Sequence, residues 1–128
     1  MSPREISKVF IIDDQPICNK LCKNMLSYHY PHFHVNEYTD ANAALNDLEK
    51  GEDPDLIILD IQMKDMSGWN FLDKFNSSEK KAKVLIVSNS PDYNDFKKAK
   101  NYDRVYKYII KPLDTLKVAN LLEPATTL

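Results

Sequence analysis

Four short apolar runs, each closing on polar residues, constrain this chain more than anything else in it. Residues 9–12 run into Asp13-Asp14, residues 56–59 into Asp60, residues 84–87 into Ser88-Asn89, and residues 105–110 into Lys111. The runs are rich in β-branched residues and most lack polar alternation, which is the pattern of strands covered on both faces. Longer amphipathic stretches separate them, so the order reads as α/β, with βα units around a parallel sheet. A more polar stretch, residues 33–38, suits an edge strand and brings the number of strands to five.

Five helices fit between and after the strands. Behind Pro16, a residue favoured at the first helical position, Ile17, Cys18, Leu21, Cys22, Met25 and Leu26 form one apolar stripe. Asp40 can cap a helix carrying Ala41, Ala44, Leu45 and Leu48, with Gly51 after Lys50 as its stop. Ser67 can cap a helix over 69–75. Ser90-Pro91-Asp92 starts a fourth helix whose apolar face is thin, only Tyr93, Phe96 and Ala99, and which should be loosely held. Asp114 opens the fifth, with Leu116, Ala119 and Leu122 expected inward and Glu123-Pro124 as its end.

In an open parallel sheet, ligands bind outside the carboxyl ends of the strands, so Asp13, Asp14, Asp60, Ser88 and Lys111 are expected to converge. Two like charges ~4 Å apart repel by about 4 kcal/mol at an effective dielectric near 20, so three clustered carboxylates need neutralising. Mg²⁺, a hard cation that accepts oxygen ligands and keeps several waters, does this and leaves a position for a phosphate oxygen. Lys111 adds a point charge for an anion and Ser88 a neutral donor. The set suits phosphoryl transfer, where positioning and charge neutralisation supply most of the catalysis.

Ile12-Asp13-Asp14, Asp60 in Leu59-Asp60-Ile61-Gln62-Met63 with Gly68 following, Ser88 after its strand, and Lys111-Pro112 after Tyr108 together resemble the receiver domain of two-component response regulators, over nearly the whole chain. The resemblance implies a flavodoxin-like, doubly wound sandwich, with five parallel strands in the order 2-1-3-4-5 and five helices. It implies that Asp60 accepts a phosphoryl group from a histidine kinase or phosphotransfer protein. Asp14 and Asp60 would bind Mg²⁺ with the backbone carbonyl of Gln62, and Asp13 would act through metal-bound water. Ser88 and Lys111 would bind phosphoryl oxygens, Ser88 and Tyr108 would form the switch, Gln62 and Ser90 would tune phosphate lifetime, and Lys111-Pro112 would be a cis peptide. A downstream protein would read the face of the fourth helix, fifth strand and fifth helix. The sequence departs from the family at Lys64, where proline is usual, and at Asn89, where a small residue is usual.

Other readings carry less. A Mg²⁺-dependent phosphatase with an aspartyl-phosphate intermediate would place two acids two residues apart on the first strand, whereas here the strand ends Asp13-Asp14-Gln15. Only Gly51 and Gly68 are present, so there is no glycine-rich nucleotide loop. A receiver used purely for docking would not need the acidic pair, Asp60 and Lys111. Cys18 and Cys22 with His29, His32 and His34 suggest zinc, but the cysteines lie on an apolar stripe and are expected to pack in the core. Lys97, Lys98, Lys100, Arg104 and Lys107 read as a solvated basic face. Net charge is -2, against broad binding to nucleic acid or anionic membrane. No secretory or membrane-spanning run and no disulfide pattern is visible, so a cytoplasmic chain is expected. At 128 residues, a single domain over 1–128 is expected, with its core at about 7–123 and no separate output domain.

Overall fold

The computed structural model describes residues 5–123. Five parallel strands, β1 (Lys8–Ile12), β2 (His34–Tyr38), β3 (Leu56–Asp60), β4 (Lys83–Ser88) and β5 (Val105–Ile110), form one sheet in the order β2-β1-β3-β4-β5. Helices α1 (Pro16–His29), α2 (Ala41–Glu49), α3 (Gly68–Asn76), α4 (Tyr93–Ala99) and α5 (Thr115–Ala119) alternate with them. Strand order reverses between β1 and β3, because β2 lies outside β1 while β3 to β5 extend the other way.

Because successive side chains of a strand face opposite sides, the central strands feed two cores. Phe10, Ile12, Ile57, Leu59, Val84 and Ile86 pack against Ala44 and Leu48 of α2, Phe71 and Phe75 of α3, and Ala99 of α4. Val9, Ile11, Ile58, Leu85 and Val87 pack against Cys22 and Leu26 of α1 and Val118 of α5. One irregularity stands in the sheet. Val84 pairs with Val105 but Leu85 pairs with Lys107, so β5 carries one extra residue, Tyr106, at a bulge.

Helix starts follow the sequence. The side chains of Asp40, Ser67, Asp92 and Asp114 each accept a backbone N–H from the first turn of their helix. Gly51 has φ 109°, a conformation that costs glycine nothing, and ends α2.

Three helix faces differ from expectation. On α1, Ile17 and Leu21 are 63% and 54% exposed, and the buried residues are Asn19, Cys22 and Leu26. Asn19 takes an inward position because its amide donates to the carbonyls of Asp13 and Tyr38, both at 3.0 Å, and this turns Ile17 and Leu21 outward. On α5, Leu116 is 71% exposed and Ala119 is exposed, while Val118, Leu121 and Leu122 are buried. The Tyr30 hydroxyl donates to the Val118 and Ala119 carbonyls and sets that phase. The helix ends at Ala119, short of the expected end; Pro124 and the residues after it lie outside the described residues. In α4 only Ala99 is fully buried, and Tyr93, expected on the apolar face, is exposed.

Candidate functional site at the carboxyl ends of the strands

Each strand end delivers its polar residue to the same edge. Ile12 pairs with Leu59, so the next residues, Asp13 and Asp60, stand side by side; Asp60 pairs with Val87, and Ser88 follows. Asp13 and Asp60 are each 5% exposed and Ser88 is fully buried. Among the described residues, Asp13, Asp14 and Asp60 bring one carboxylate oxygen each to within 4.8 Å of the others.

The Lys111 ammonium closes the cluster. Its Nζ donates to Asp13 Oδ2 at 2.8 Å and to Asp60 Oδ2 at 3.3 Å. The Lys111 N–H donates to the Ser88 carbonyl at 2.8 Å, which holds the end of β5 against β4, and the Lys111–Pro112 peptide is cis. Three further carboxylate oxygens accept backbone N–H groups. Asp13 Oδ1 accepts the Gln15 N–H, Asp60 Oδ1 the Gln62 N–H at 3.0 Å, and Asp14 Oδ2 the Lys64 N–H at 3.0 Å.

Burial pushes the Asp60 carboxyl above its ordinary value, and the Gln62 N–H and the Lys111 charge only partly oppose it. For Lys111, burial acts to lower the ammonium, yet the hydrogen bond and charge of Asp13 and the charge of Asp60 prevail and raise it. The cluster therefore holds three acids against one fixed ammonium, an arrangement that accommodates a hard divalent cation between Asp13, Asp14 and Asp60. No comparable group of histidine and cysteine side chains is found among the described residues; burial instead pushes the Cys22 thiol up to about 12, as suits a core residue.

Ser88, Ser90 and Tyr108 form a chain. Ser88 Oγ accepts the Ser90 N–H at 3.0 Å, and the Tyr108 hydroxyl donates to the Ser90 carbonyl at 3.1 Å. The Tyr108 ring meets Phe96 of α4 edge-on, with centroids 5.9 Å apart. An apolar cleft of about 310 Å³ adjoins the acidic cluster, lined by Leu21, Cys22 and Met25 of α1, Ile58, Val87 and Leu113.

Of the basic face, Arg104 does not stand free in solvent. Its guanidinium donates to the carbonyls of Phe75 and Ser78 at 2.8 Å and caps the end of α3. Lys107 likewise donates to the carbonyls of Asn120 and Glu123. Lys97 and Lys98 of α4 and Lys100 at its end remain exposed, over the rings of Tyr93, Trp69 and Phe96.

The family profile of the response regulator receiver domain matches residues 9–123, and the strand ends just described fall within it. The chain belongs to that family. It is a receiver domain of two-component response regulators. A two-component response regulator from Cytophaga hutchinsonii superposes with a TM-score of 0.81 at 32% identity, over 91% of this chain and 93% of that one. An uncharacterized response regulatory protein of Staphylococcus epidermidis is 31% identical over 117 residues, which is 91% of this chain and 45% of the relative. The receiver chain thus spans about half the length of such relatives. TrrA of Thermotoga maritima, solved in complex with Mg(2+)-BeF, shares the fold at 21% identity and a TM-score of 0.75, over 92% of this chain and 97% of that one. No helix among the described residues is long and apolar enough to cross a membrane.

Sequence reasoning left three contributors unseen. Asn19, in phase with the buried Cys22 and Leu26, is the polar residue on an inward face, and that phase is the signal that points to it. The Lys64 N–H on Asp14 exists because the residue is not proline. The third is Lys117, whose ammonium reaches the backbone around Lys111.

Proposed function

We propose that Asp60 is the phosphoacceptor of this receiver domain, taking a phosphoryl group from a histidine kinase or phosphotransfer protein and thereby switching a protein-binding surface. The observation that carries the proposal is the Lys111 ammonium bridging Asp13 and Asp60 at the strand ends.

Asp60 Oδ attacks phosphorus, the P–N bond to the donor imidazole breaks, and the imidazole nitrogen leaves with the electron pair. Asp14, Asp60 and the Gln62 carbonyl would hold Mg²⁺, with Asp13 acting through metal-bound water; bound there, the ion would supply neutralisation of the acids and a positive charge for a phosphoryl oxygen. TrrA, with its Mg(2+)-BeF, offers a parallel for that pairing. Lys111, already between the two acids, turns its charge to the incoming phosphoryl oxygens. Ser88 uses only a lone pair in its bond from Ser90, so its hydroxyl hydrogen is available to the same anion. Gln62 and Ser90 flank the site and would govern access of water. The domain acts on its own carboxylate and is not a conventional turnover enzyme.

A bond from Ser88 to the phosphoryl group draws the hydroxyl away from Ser90, whose carbonyl anchors Tyr108. The ring can then turn and carry α4, held by so few buried side chains, to a second position. A downstream protein would read the surface of α4, β5 and α5. The donor would approach over α1, where Ile17 and Leu21 stand exposed and Leu21 lines the cleft shared with Asp13 and Asp60. Such a pathway belongs in the cytoplasm.

Incubation with acetyl phosphate and Mg²⁺, followed by intact-mass analysis, tests the proposal. A single phosphoryl adduct is expected, and none in Asp60→Asn. An adduct of equal yield in Asp60→Asn would overturn the assignment.

A further inference from the structure

Lys111 directly follows β5, an edge strand, and an edge leaves backbone groups without partners. Its own N–H faces β4 and donates to Ser88. By the alternation of a parallel ladder, the carbonyl of Ile110 then faces the open edge. The chain turns immediately afterwards at Pro112, which contributes no N–H. Beyond the Lys111 N–H the ladder does not continue into this turn, although the Lys111 ammonium just before it must stay on Asp13 and Asp60 to serve an anion there.

Lys117 supplies the missing tie. Its Nζ donates to the Ile110 carbonyl and to the Pro112 carbonyl, both at 2.9 Å, and so clamps the residues on either side of Lys111. The base of the clamp is itself fixed. The Lys117 N–H donates to the capping carboxylate of Asp114 at 2.8 Å, the adjacent Val118 is fully buried, and Tyr30 holds the Val118 and Ala119 carbonyls. The two carbonyls leave the third ammonium hydrogen to solvent, so the clamp needs no acidic partner.

We propose that Lys117 is a positioning residue for Lys111, holding the phosphoryl-binding ammonium in register and coupling α5 to the site; this rests on the reading of Asp60 as phosphoacceptor. Lys111 meets the anion and has no place in the cation's ligand set. Loss of the clamp therefore weakens anion binding and spares the cation, a division that general loosening of the fold does not produce.

The test is binding of beryllofluoride to the full chain at saturating Mg²⁺, with Mg²⁺ affinity measured separately. Lys117→Met keeps the length and apolar stem and removes the donors. It should weaken beryllofluoride on the order of five- to tenfold, the size of a coupling between neighbouring groups, and leave Mg²⁺ affinity undiminished. Lys117→Arg, which can still donate to both carbonyls, should restore binding. In a Lys111→Met background, Lys117→Met should have no further effect. Unchanged beryllofluoride affinity, a parallel loss of Mg²⁺ affinity, or an equal loss in the Lys111→Met background would overturn the proposal. Parent protein that binds Mg²⁺ yet never beryllofluoride would instead remove the phosphoacceptor reading on which it rests.

Discussion

Gly68 begins α3 directly behind the acceptor strand, and a side chain there has nowhere to go. A Cβ built on it would lie 2.6 Å from Ile61 Cα and 2.8 Å from the Asp60 carbonyl oxygen. Carbon atoms in contact prefer about 3.5–4.0 Å, so Gly68→Ala must separate helix and strand by roughly 1 Å. Both obstacles are backbone, and no rotamer change relieves them. The separation also stretches the bond from the Gly68 N–H to the Ile61 carbonyl, now 2.8 Å. Overpacking of this kind costs about 1–3 kcal/mol. Alanine returns at most about 1 kcal/mol of helix propensity, and less at a first position, so a net loss of about 1–2 kcal/mol is expected. With a urea slope of about 2 kcal/mol/M, the unfolding midpoint should fall by roughly 0.5–1 M. The Asp60 carbonyl is one of the atoms pushed, so the phosphorylation rate should fall as well. A urea midpoint that does not move would refute the steric argument, because Gly68 has no left-handed backbone to give it another reason for being glycine.

Three further outcomes are expected. Burial raises Asp60, so the folded state holds its proton more tightly than the unfolded state, and the ionised carboxylate costs stability at neutral pH. In metal-free buffer Asp60→Asn should therefore melt above the parent at neutral pH, with the margin closing below the unfolded carboxylate range; a margin independent of pH would contradict this. Asp14→Ala should weaken Mg²⁺ or Mn²⁺ binding by at least the roughly tenfold that even outer-shell losses cost, and a titration with equal affinity would exclude Asp14 as a ligand. With beryllofluoride and Mg²⁺, the largest changes in hydrogen exchange should fall between Ser88 and Tyr108; changes confined to α1 and α2 would mean that the signal leaves by another face.

The strands and the convergence of their polar ends were legible because apolar runs covered on both sides leave few alternatives. Asp13, Asp60, Ser88 and Lys111 needed only the rule that parallel strands end together. Helix phase was harder to read. Ile17, Cys18, Leu21, Cys22, Met25 and Leu26 form a stripe wide enough to be turned either way, and the choice falls to Asn19, whose two backbone acceptors lie just past β1 and at the end of β2. Leu116 was misplaced for a similar reason, since Tyr30, far away in sequence, sets the phase of α5. Lys117 and Arg104 act on backbone carbonyls, which every residue possesses, so no pattern of side chains announces them.

The extra residue at Tyr106 decides the parity of the last strand. Counted straight on from the pairing of Val84 with Val105, Tyr108 would stand opposite Val87 and look toward α1 and α5, and Lys107 would enter the apolar layer beneath α3 and α4. With the bulge, Tyr108 stands opposite Ile86 and shares the side of the sheet on which Phe96 lies. The direction in which this domain can report a change at its acidic end is thus an odd-or-even matter, set by a single unpaired residue at the far end of β5.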